Sequence, residues 1–172
     1  LSDTLQLVVG ASYDLTNLKA ATDVNVSAGG TSTAPAPVFT PVNYPLKDMN
    51  ALNGQAALLW DATENIRMHA SVSSRARFPN LFERFSSRFG SSIPNPGVKE
   101  ERATNIELGG SIELPAGIHI EGAIFRSDIE NALVQVPVAF GGVFGTQNQT
   151  RNVASAVYQG VELAFSTDVN EV

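Results

Sequence analysis

Apolar and polar side chains alternate along the chain in stretches of about ten residues. Between Ile106 and Leu114 every second residue is apolar or glycine, and Glu107, Ser111 and Glu113 lie in between. A period of two predicts a β-strand with one apolar face and one polar face. Strands in soluble domains are usually shorter, about five or six residues. About ten residues is the length that a tilted strand needs to cross a bilayer.

The same pattern recurs six times and predicts an all-β, antiparallel up-and-down meander. The predicted strands span residues 4–14, 52–60, 66–77, 102–114, 118–135 and 153–167. The connections alternate between long ones, at 15–50, 78–101 and 136–152, and short turns, at 61–65, 115–117 and 167–171. Bacterial outer-membrane barrels have long outer loops and short periplasmic turns. The pattern therefore predicts part of a transmembrane β-barrel with three long outer loops.

The two predicted faces differ in charge. A basic side chain that faces lipid at mid-depth costs about 2–4 kcal/mol. On the apolar faces we count a single formal charge, Arg126, near the outer end of its strand, where a long side chain reaches the head groups. Tyr13 and Trp60, at opposite ends of their strands, suit an aromatic girdle. The opposite faces carry Arg67, His69, Arg75, Arg77, Glu107, Glu113, His119, Glu121 and Glu162.

Composition limits the function classes. The chain has 172 residues, enough for one domain, and no cysteine, so it forms neither a disulfide framework nor a thiolate metal site. Its net charge of −6 argues against nucleic acid as a partner. No window contains the roughly 18 consecutive apolar residues of a spanning helix. Residues 1–5 lack the features of a signal peptide, so we expect a mature sequence or an excised piece.

Several segments resemble the barrel of TonB-dependent outer-membrane receptors. The stretch from Ser73 to Glu83 resembles the family's strand end with an Arg, a small or aromatic residue and Pro, followed by Leu-Phe-Glu. Asn95–Glu101 resembles its Asn-Pro-x-Leu-Lys-Pro-Glu segment, although Glu100 stands where Pro is usual. The matching continues in the same order at Arg102–Gly109, Ala123–Asn131, Asn152–Ala156 and Gly160–Leu163, with Ala154 or Ser155 where Gly is usual.

The resemblance implies a receptor in the bacterial outer membrane that imports an iron–siderophore complex or a similar large nutrient, with haem, cobalamin or a glycan as lesser options. Its implied partners are outer-membrane lipid, the energising TonB complex and a plug domain inside a barrel of about 22 strands. We therefore expect residues 1–172 to form a partial barrel domain, without the plug and the remaining strands. No cofactor, no nucleic acid and no covalent chemistry are expected of this segment.

Four arginines, Arg75, Arg77, Arg84 and Arg88, cluster where the third predicted strand leaves the membrane. Guanidinium groups pair well with carboxylates and oxygen-rich anions, so these residues are candidates for contact with an anionic iron chelate. The alternative is salt bridging within the wall and loops, to Glu83, Glu100 and Glu101. Salt bridging is favoured over ligand contact. The family's Arg-Pro stretch, which these arginines resemble, suits loop anchoring as well as binding.

Other functional readings are weaker. His69 and His119 lie on predicted inner faces without further ligands at useful spacing, so no metal site is expected. Glu107 and Glu162 could form a carboxylate pair for acid–base chemistry, but inner walls of barrels are routinely polar. An enzyme is therefore not expected. A soluble all-β module that binds a ligand or carbohydrate remains the alternative, since a soluble sheet also has one apolar face.

Overall fold

The computed structural model describes residues 4–26, 39–87, 91–139, 145–153 and 155–167. Within these residues it contains one short helix and ten strands. In chain order they are β1 (Leu5–Thr16), β2 (Thr22–Val26), β3 (Phe39–Asn43), β4 (Met49–Thr63), β5 (Ile66–Arg77), α1 (Leu81–Phe85), β6 (Glu101–Leu114), β7 (Ile118–Glu130), β8 (Leu133–Ala139), β9 (Thr146–Asn152) and β10 (Ala156–Thr167). None of the described helices is long and apolar enough to cross a membrane.

Six long strands form one antiparallel sheet in the order β1-β4-β5-β6-β7-β10. These are the six strands that the alternation predicts, so the meander is confirmed. The turns β4–β5 and β6–β7 are short, and all the longer connections lie at the other end of the sheet. We call these ends the short-turn end and the long-loop end. In the β6–β7 turn, Ala116 and Gly117 both have a φ of +68°, which suits a tight hairpin.

Strand register places the alternating apolar residues on one face of the sheet, as predicted. Directly paired residues in an antiparallel sheet project to the same side, so one cross-strand row shows the character of each face. A row on the apolar face runs through Leu7, Leu58, Ala70, Leu108, Ile124 and Val161. The neighbouring row on the opposite, polar face runs through Val8, Ala57, Ser71, Glu107, Phe125 and Gly160.

No second layer covers the apolar face among the described residues. Leu163, on β10, is 80 % exposed, and Val161 and Phe165 on the same strand are also largely exposed. Large exposed apolar surfaces mark contact with lipid or with a protein partner. The face thus suits an apolar environment that the described residues do not supply.

The count of a single charge on the apolar face is wrong. The register also places Arg102, Asp128 and Glu130 on that face, together with Arg126. All four lie on β6 or β7 at the long-loop end, and Arg126 donates to Asp128 from Nε and Nη2 at 2.9 and 2.8 Å. The apolar face is therefore free of charge from Leu108 on β6 and its partner Ile124 on β7 to the short-turn end of these two strands. The charges form a border at one end of the band.

The long connections contain structure that the alternation does not predict. Strands β2 and β3 form a separate hairpin within the connection that leads from β1 to β4. Strands β8 and β9 form another within the connection from β7 to β10. The predicted fifth strand, 118–135, ends instead at Glu130, because Asn131 adopts a left-handed conformation with φ of +54°. Asn tolerates this region better than most residues, and it redirects the chain into β8.

The buried residues are concentrated at the long-loop end. Among the described residues, the buried set comprises Met49, Ala51, Asn53, Pro79, Arg84, Val98, Gly109, Gln147 and Thr150. The six strands of the main sheet, the wall strands, contribute the first residues of β4 and Gly109 on β6 to this set. The packed core therefore lies mainly among the connections rather than in the sheet.

Candidate functional site

The connections at the long-loop end pack into one assembly. We call it the loop layer and define it as the described residues 17–26, 39–48, 78–87, 91–100, 131–139 and 145–153. It lies where the sequence predicts the outer loops of a receptor. Its geometry is set by hydrogen bonds between segments that are distant in sequence.

Residues 91–100 are bound to the β8–β9 hairpin along its length. The backbone N of Ile93 donates to the carbonyl O of Asn148 at 2.8 Å, and Asn95 Nδ2 donates to the carbonyl O of Thr150 at 2.9 Å. Asn152 continues the contact: its Oδ1 accepts from the backbone N of Lys99 at 2.7 Å, and its Nδ2 donates to the carbonyl O of Lys99 at 3.0 Å. These bonds satisfy backbone groups that lie outside the main sheet. The second and third connections therefore form one body.

Helix α1 begins with a capping box. The backbone N of Glu83 donates to Asn80 Oδ1, and the backbone N of Asn80 donates to Glu83 Oε2, both at 2.8 Å. Glu83 also accepts from Arg77 Nη1 at 3.2 Å, and Arg77 Nε donates to Glu101 Oε1 at 3.4 Å. Salt bridging to glutamates of the wall and loops was the predicted alternative to ligand contact, and Arg77 makes two such bridges, to Glu83 and Glu101. It ties the end of β5 to α1 and to the start of β6.

Arg84 is buried inside the loop layer, with a relative exposure of 1 %. Its Nη2 donates to the carbonyl O of Lys47 at 3.1 Å and to that of Pro96 at 3.4 Å. Its guanidinium carbon lies 4.9 Å from the ring centre of Phe85, which is a cation–π distance. Burial lowers the pKa of Arg84, and the negative charge of Asp48 opposes this shift. The group faces backbone carbonyls and an aromatic ring rather than solvent.

Arg75 and Arg88 complete the predicted cluster. Arg75 lies on the polar face of β5, where its exposed Nη2 donates to Gln55 Oε1 at 2.6 Å. Arg88 falls outside the described residues. The structure therefore brings Arg75 and Arg77 together on the polar face, two positions apart on one strand, and directs Arg84 into the loop layer.

The two histidines each pair with a glutamate on the polar face. His69 Nε2 lies 2.9 Å from Glu107 Oε1, and His119 Nδ1 lies 2.7 Å from Glu113 Oε1. Glu162 lies on β10, which β7 separates from β6 and Glu107. No group of three or more metal-ligating side chains occurs in the part of the chain that the structure describes.

Near the short-turn end, the polar face is concave. A cleft of about 620 Å³ is open to solvent and is lined by side chains of both charge signs. Its lining includes Gln6, Asp61, Arg67, His69 and Glu121. Such a surface can hold a polar partner by hydrogen bonds and charge.

The roles of the residues that organise the loop layer are not predicted from the sequence. Asn80 and Glu83 carry a usable signal, because Asn followed three residues later by Glu is typical of a capping box. Asn95 and Asn152 begin two of the segments that resemble the family, but nothing local indicates their contacts, since their partners lie about 55 residues away in the chain. Arg84 was singled out for its charge, but its burial follows from acceptors on other segments.

Known proteins share both sequence features and architecture with this chain. A family model described as "TonB dependent receptor-like, beta-barrel" matches residues 1–170. A curated relative, the "Heme/hemopexin utilization protein C" of Haemophilus influenzae, is 27% identical over 136 residues, which covers 66% of this chain and 19% of the relative.

Solved structures share the fold. The Serratia marcescens hemophore receptor HasR, in complex with its hemophore HasA and heme, superimposes with a TM-score of 0.72 at 15% identity, covering 96% of this chain and 30% of the receptor. The ferric-catecholate import receptor Fiu of E. coli K12 gives 0.63 at 22% identity, covering 98% and 24%. The chain thus spans less than a third of the length of each of these proteins. Because the family model covers nearly every residue and the sheet has the expected meander, the chain belongs to the TonB-dependent receptor-like β-barrel family.

Proposed function

We propose that this chain supplies six adjacent wall strands and three outer loops of a bacterial outer-membrane receptor that imports an iron complex with energy from TonB. The observation that carries the proposal is the uncovered apolar face, which crosses all six strands and ends at a charged border. A bilayer supplies the apolar partner that the described part of the chain does not, and head groups suit the charged border on β6 and β7. A soluble binding module is not favoured, because it would cover such a face with a second layer.

The remainder of the receptor is also part of the proposal. Strands β1 and β10 each have only one neighbour among the described residues, so each has a free edge. Free edges of long strands are avoided in native proteins, and a closed barrel removes them. We propose that further wall strands pair with β1 and β10, and that a plug domain contacts the polar face, including the cleft at the short-turn end.

The cargo is proposed to be iron held by a siderophore or by haem. The names of the similar proteins support this range, since they include a haem utilisation protein, a receptor in complex with hemophore and heme, and a ferric-catecholate importer. Catecholate chelates and haem propionates carry negative charge, which arginine recognises well. Of the predicted contact residues that the structure describes, Arg75 and Arg77 are both exposed. Arg77 is held in ion pairs with Glu83 and Glu101, so Arg75 is the candidate for contact with cargo.

Uptake by the complete receptor tests the proposal. A strain lacking its own receptors for these compounds is given the complete receptor and grown without free iron. Haem and a ferric catecholate are offered separately as the sole iron source, with and without a functional TonB. Growth on at least one compound, only when TonB is present, is expected. Growth on neither, or equal growth without TonB, would contradict the proposed function.

A matched pair of variants tests the contact residue. Arg75→Ala removes a guanidinium from the polar face near the loop layer, and Arg126→Ala removes one from the charged border of the apolar face. If Arg75 contacts anionic cargo, Arg75→Ala weakens binding by a factor on the order of 10, the effect of losing one charge-assisted hydrogen bond. Arg126→Ala leaves affinity unchanged. Equal affinity of both variants and the parent would remove Arg75 from the site.

A further inference from the structure

Helix α1 exposes two large hydrophobic side chains and buries a charged one. Leu81 is 62 % exposed and Phe82 is 51 % exposed, whereas Arg84 is 1 % exposed. Hydrophobic residues normally bury and charged residues normally face solvent, so a buried arginine signals a structural or functional demand. The helix is too short to be stable alone, so its orientation is set by the contacts of its side chains.

The contacts of Arg84 join the first connection to the second. Lys47 precedes β4 at the end of the first connection, and Pro96 lies in the second. One nitrogen, Nη2, donates to both carbonyls, at 3.1 and 3.4 Å. The backbone of Arg84 adds a third bond, because its carbonyl O accepts from the backbone N of Asn95 at 2.9 Å.

The aromatic contacts extend the same junction. The ring centre of Phe85 lies 5.4 Å from that of Tyr44, and the guanidinium of Arg84 covers the Phe85 ring. Tyr44 follows β3 and donates its backbone N to the carbonyl O of Ala21, at the base of the β2–β3 hairpin, at 2.9 Å. The hairpin base is thereby connected to α1 through two packed rings.

The second connection is already joined to the third by Asn95 and Asn152. Arg84 therefore links the first connection to a body that comprises the other two. Its two carbonyl partners lie 37 and 12 residues away in sequence, so no local structure holds them together. A lysine keeps the charge but not the planar fork that can stack on a ring while donating in its plane.

We infer that Arg84 is a positioning residue, which holds the three outer connections in one arrangement before cargo arrives. This inference rests on the proposed function, because it assigns the loop layer to cargo capture. A preorganised site binds more tightly, since the observed dissociation constant rises as the binding-competent fraction falls. Loss of Arg84 leaves the wall strands intact and lowers that fraction.

The first test needs no cargo. Hydrogen exchange is measured on the complete receptor and on its Arg84→Ala, Arg84→Lys and Arg126→Ala variants. Faster exchange at residues 44–48 and 91–98 together is expected for Arg84→Ala, with β4 to β7 unchanged. At both segments the exchange rates of Arg84→Lys fall between those of Arg84→Ala and the parent, and those of Arg126→Ala match the parent. Unchanged exchange at both segments in Arg84→Ala overturns the inference.

The second test separates positioning from a general folding defect. Initial uptake rates are measured with haem and, separately, with a ferric catecholate. We expect Arg84→Ala to raise the apparent KM by about tenfold, as when the competent arrangement falls to a tenth of the molecules, with Vmax per folded receptor unchanged. An unchanged KM overturns the inference, whether or not Vmax falls. If the parent transports neither compound, the proposed function fails, and hydrogen exchange still decides whether Arg84 joins the loops.

Discussion

A charge placed at mid-depth on the apolar face should destabilise the folded barrel, whereas the same charge one residue later should not. Ala70 and Ser71 are adjacent on β5 and project to opposite faces, with Leu108 and Glu107 as their cross-strand neighbours on β6. Ala70 is four residues from Ile66, where β5 begins. With a rise of about 3.4 Å per residue and a tilt of about 40°, it lies roughly 10 Å into an apolar band about 25 Å tall.

At that depth a lipid-facing arginine costs about 2–4 kcal/mol. Ala70→Arg should therefore lower the folded-to-unfolded ratio by roughly 30- to 900-fold, because about 1.4 kcal/mol corresponds to a factor of ten. Ser71→Arg projects to the polar face beside the carboxylate of Glu107, and its expected effect is below about 1 kcal/mol, as for other surface substitutions. The difference between these two variants, rather than either value alone, reports which face meets lipid.

The assay is urea unfolding of the complete receptor in phospholipid vesicles, followed by the heat-dependent shift of the folded barrel on a gel. A midpoint lowered only in Ala70→Arg supports the assignment of faces. Equal destabilisation by the two variants, or a larger effect of Ser71→Arg, would refute the reasoning from register to lipid contact.

Three further outcomes follow from local geometry. Gly110→Ala should destabilise the barrel by about 1–3 kcal/mol in the same unfolding assay, because a Cβ there would lie 2.7 Å from the backbone O of Arg67. Gly122→Ala is the control, because its Cβ would lie 3.5 Å from a methyl of Leu163 and 3.7 Å from the backbone O of Glu162, which are ordinary van der Waals distances. Asn80→Ala removes the cap of α1 and should cost about 1 kcal/mol locally, visible as faster hydrogen exchange at 81–86. Asn152→Ala should increase exchange at 93–99 and 146–152 together by about tenfold, and independent behaviour of the two segments would contradict their description as one body.

The wall was predictable from sequence because its environment repeats every two residues. In β6 the alternation from Ile106 to Leu114 fixes both the strand and its register, since a slip by one residue would exchange the two faces. The predicted boundary of β6 at the short-turn end, Leu114, agrees with the structure because the turn that follows has its own signal in Pro115–Gly117. The boundaries of β6 and β7 at the long-loop end are harder to predict, since the charged border interrupts the apolar pattern there.

The loop layer was not predictable, because its stability comes from contacts across long sequence separations. Strand β9 reads Thr-Gln-Asn-Gln-Thr-Arg-Asn, which has no alternation and no apolar residue. It is held by pairing with β8 and by bonds to residues 91–99. The burial of Arg84 has the same origin, because its acceptors are backbone carbonyls that no residue type reveals. The three described members of the arginine cluster are therefore told apart only in three dimensions: Arg75 and Arg77 are exposed, Arg77 in ion pairs with two glutamates, and Arg84 is buried.

Accessibility along β6 tests most directly whether lipid covers the apolar face. The chain contains no cysteine, so single cysteines can be placed at residues 105–108, 111 and 112 and spin-labelled in the complete receptor in vesicles; Gly109 and Gly110 are left unchanged because a side chain there would clash. Collisions with oxygen, which enters lipid, and with a water-soluble nickel chelate are then compared at each site. Oxygen access is expected to peak at 106, 108 and 112, and nickel access at 105, 107 and 111. Equal access to nickel on both faces, or a pattern without a period of two, would contradict this expectation.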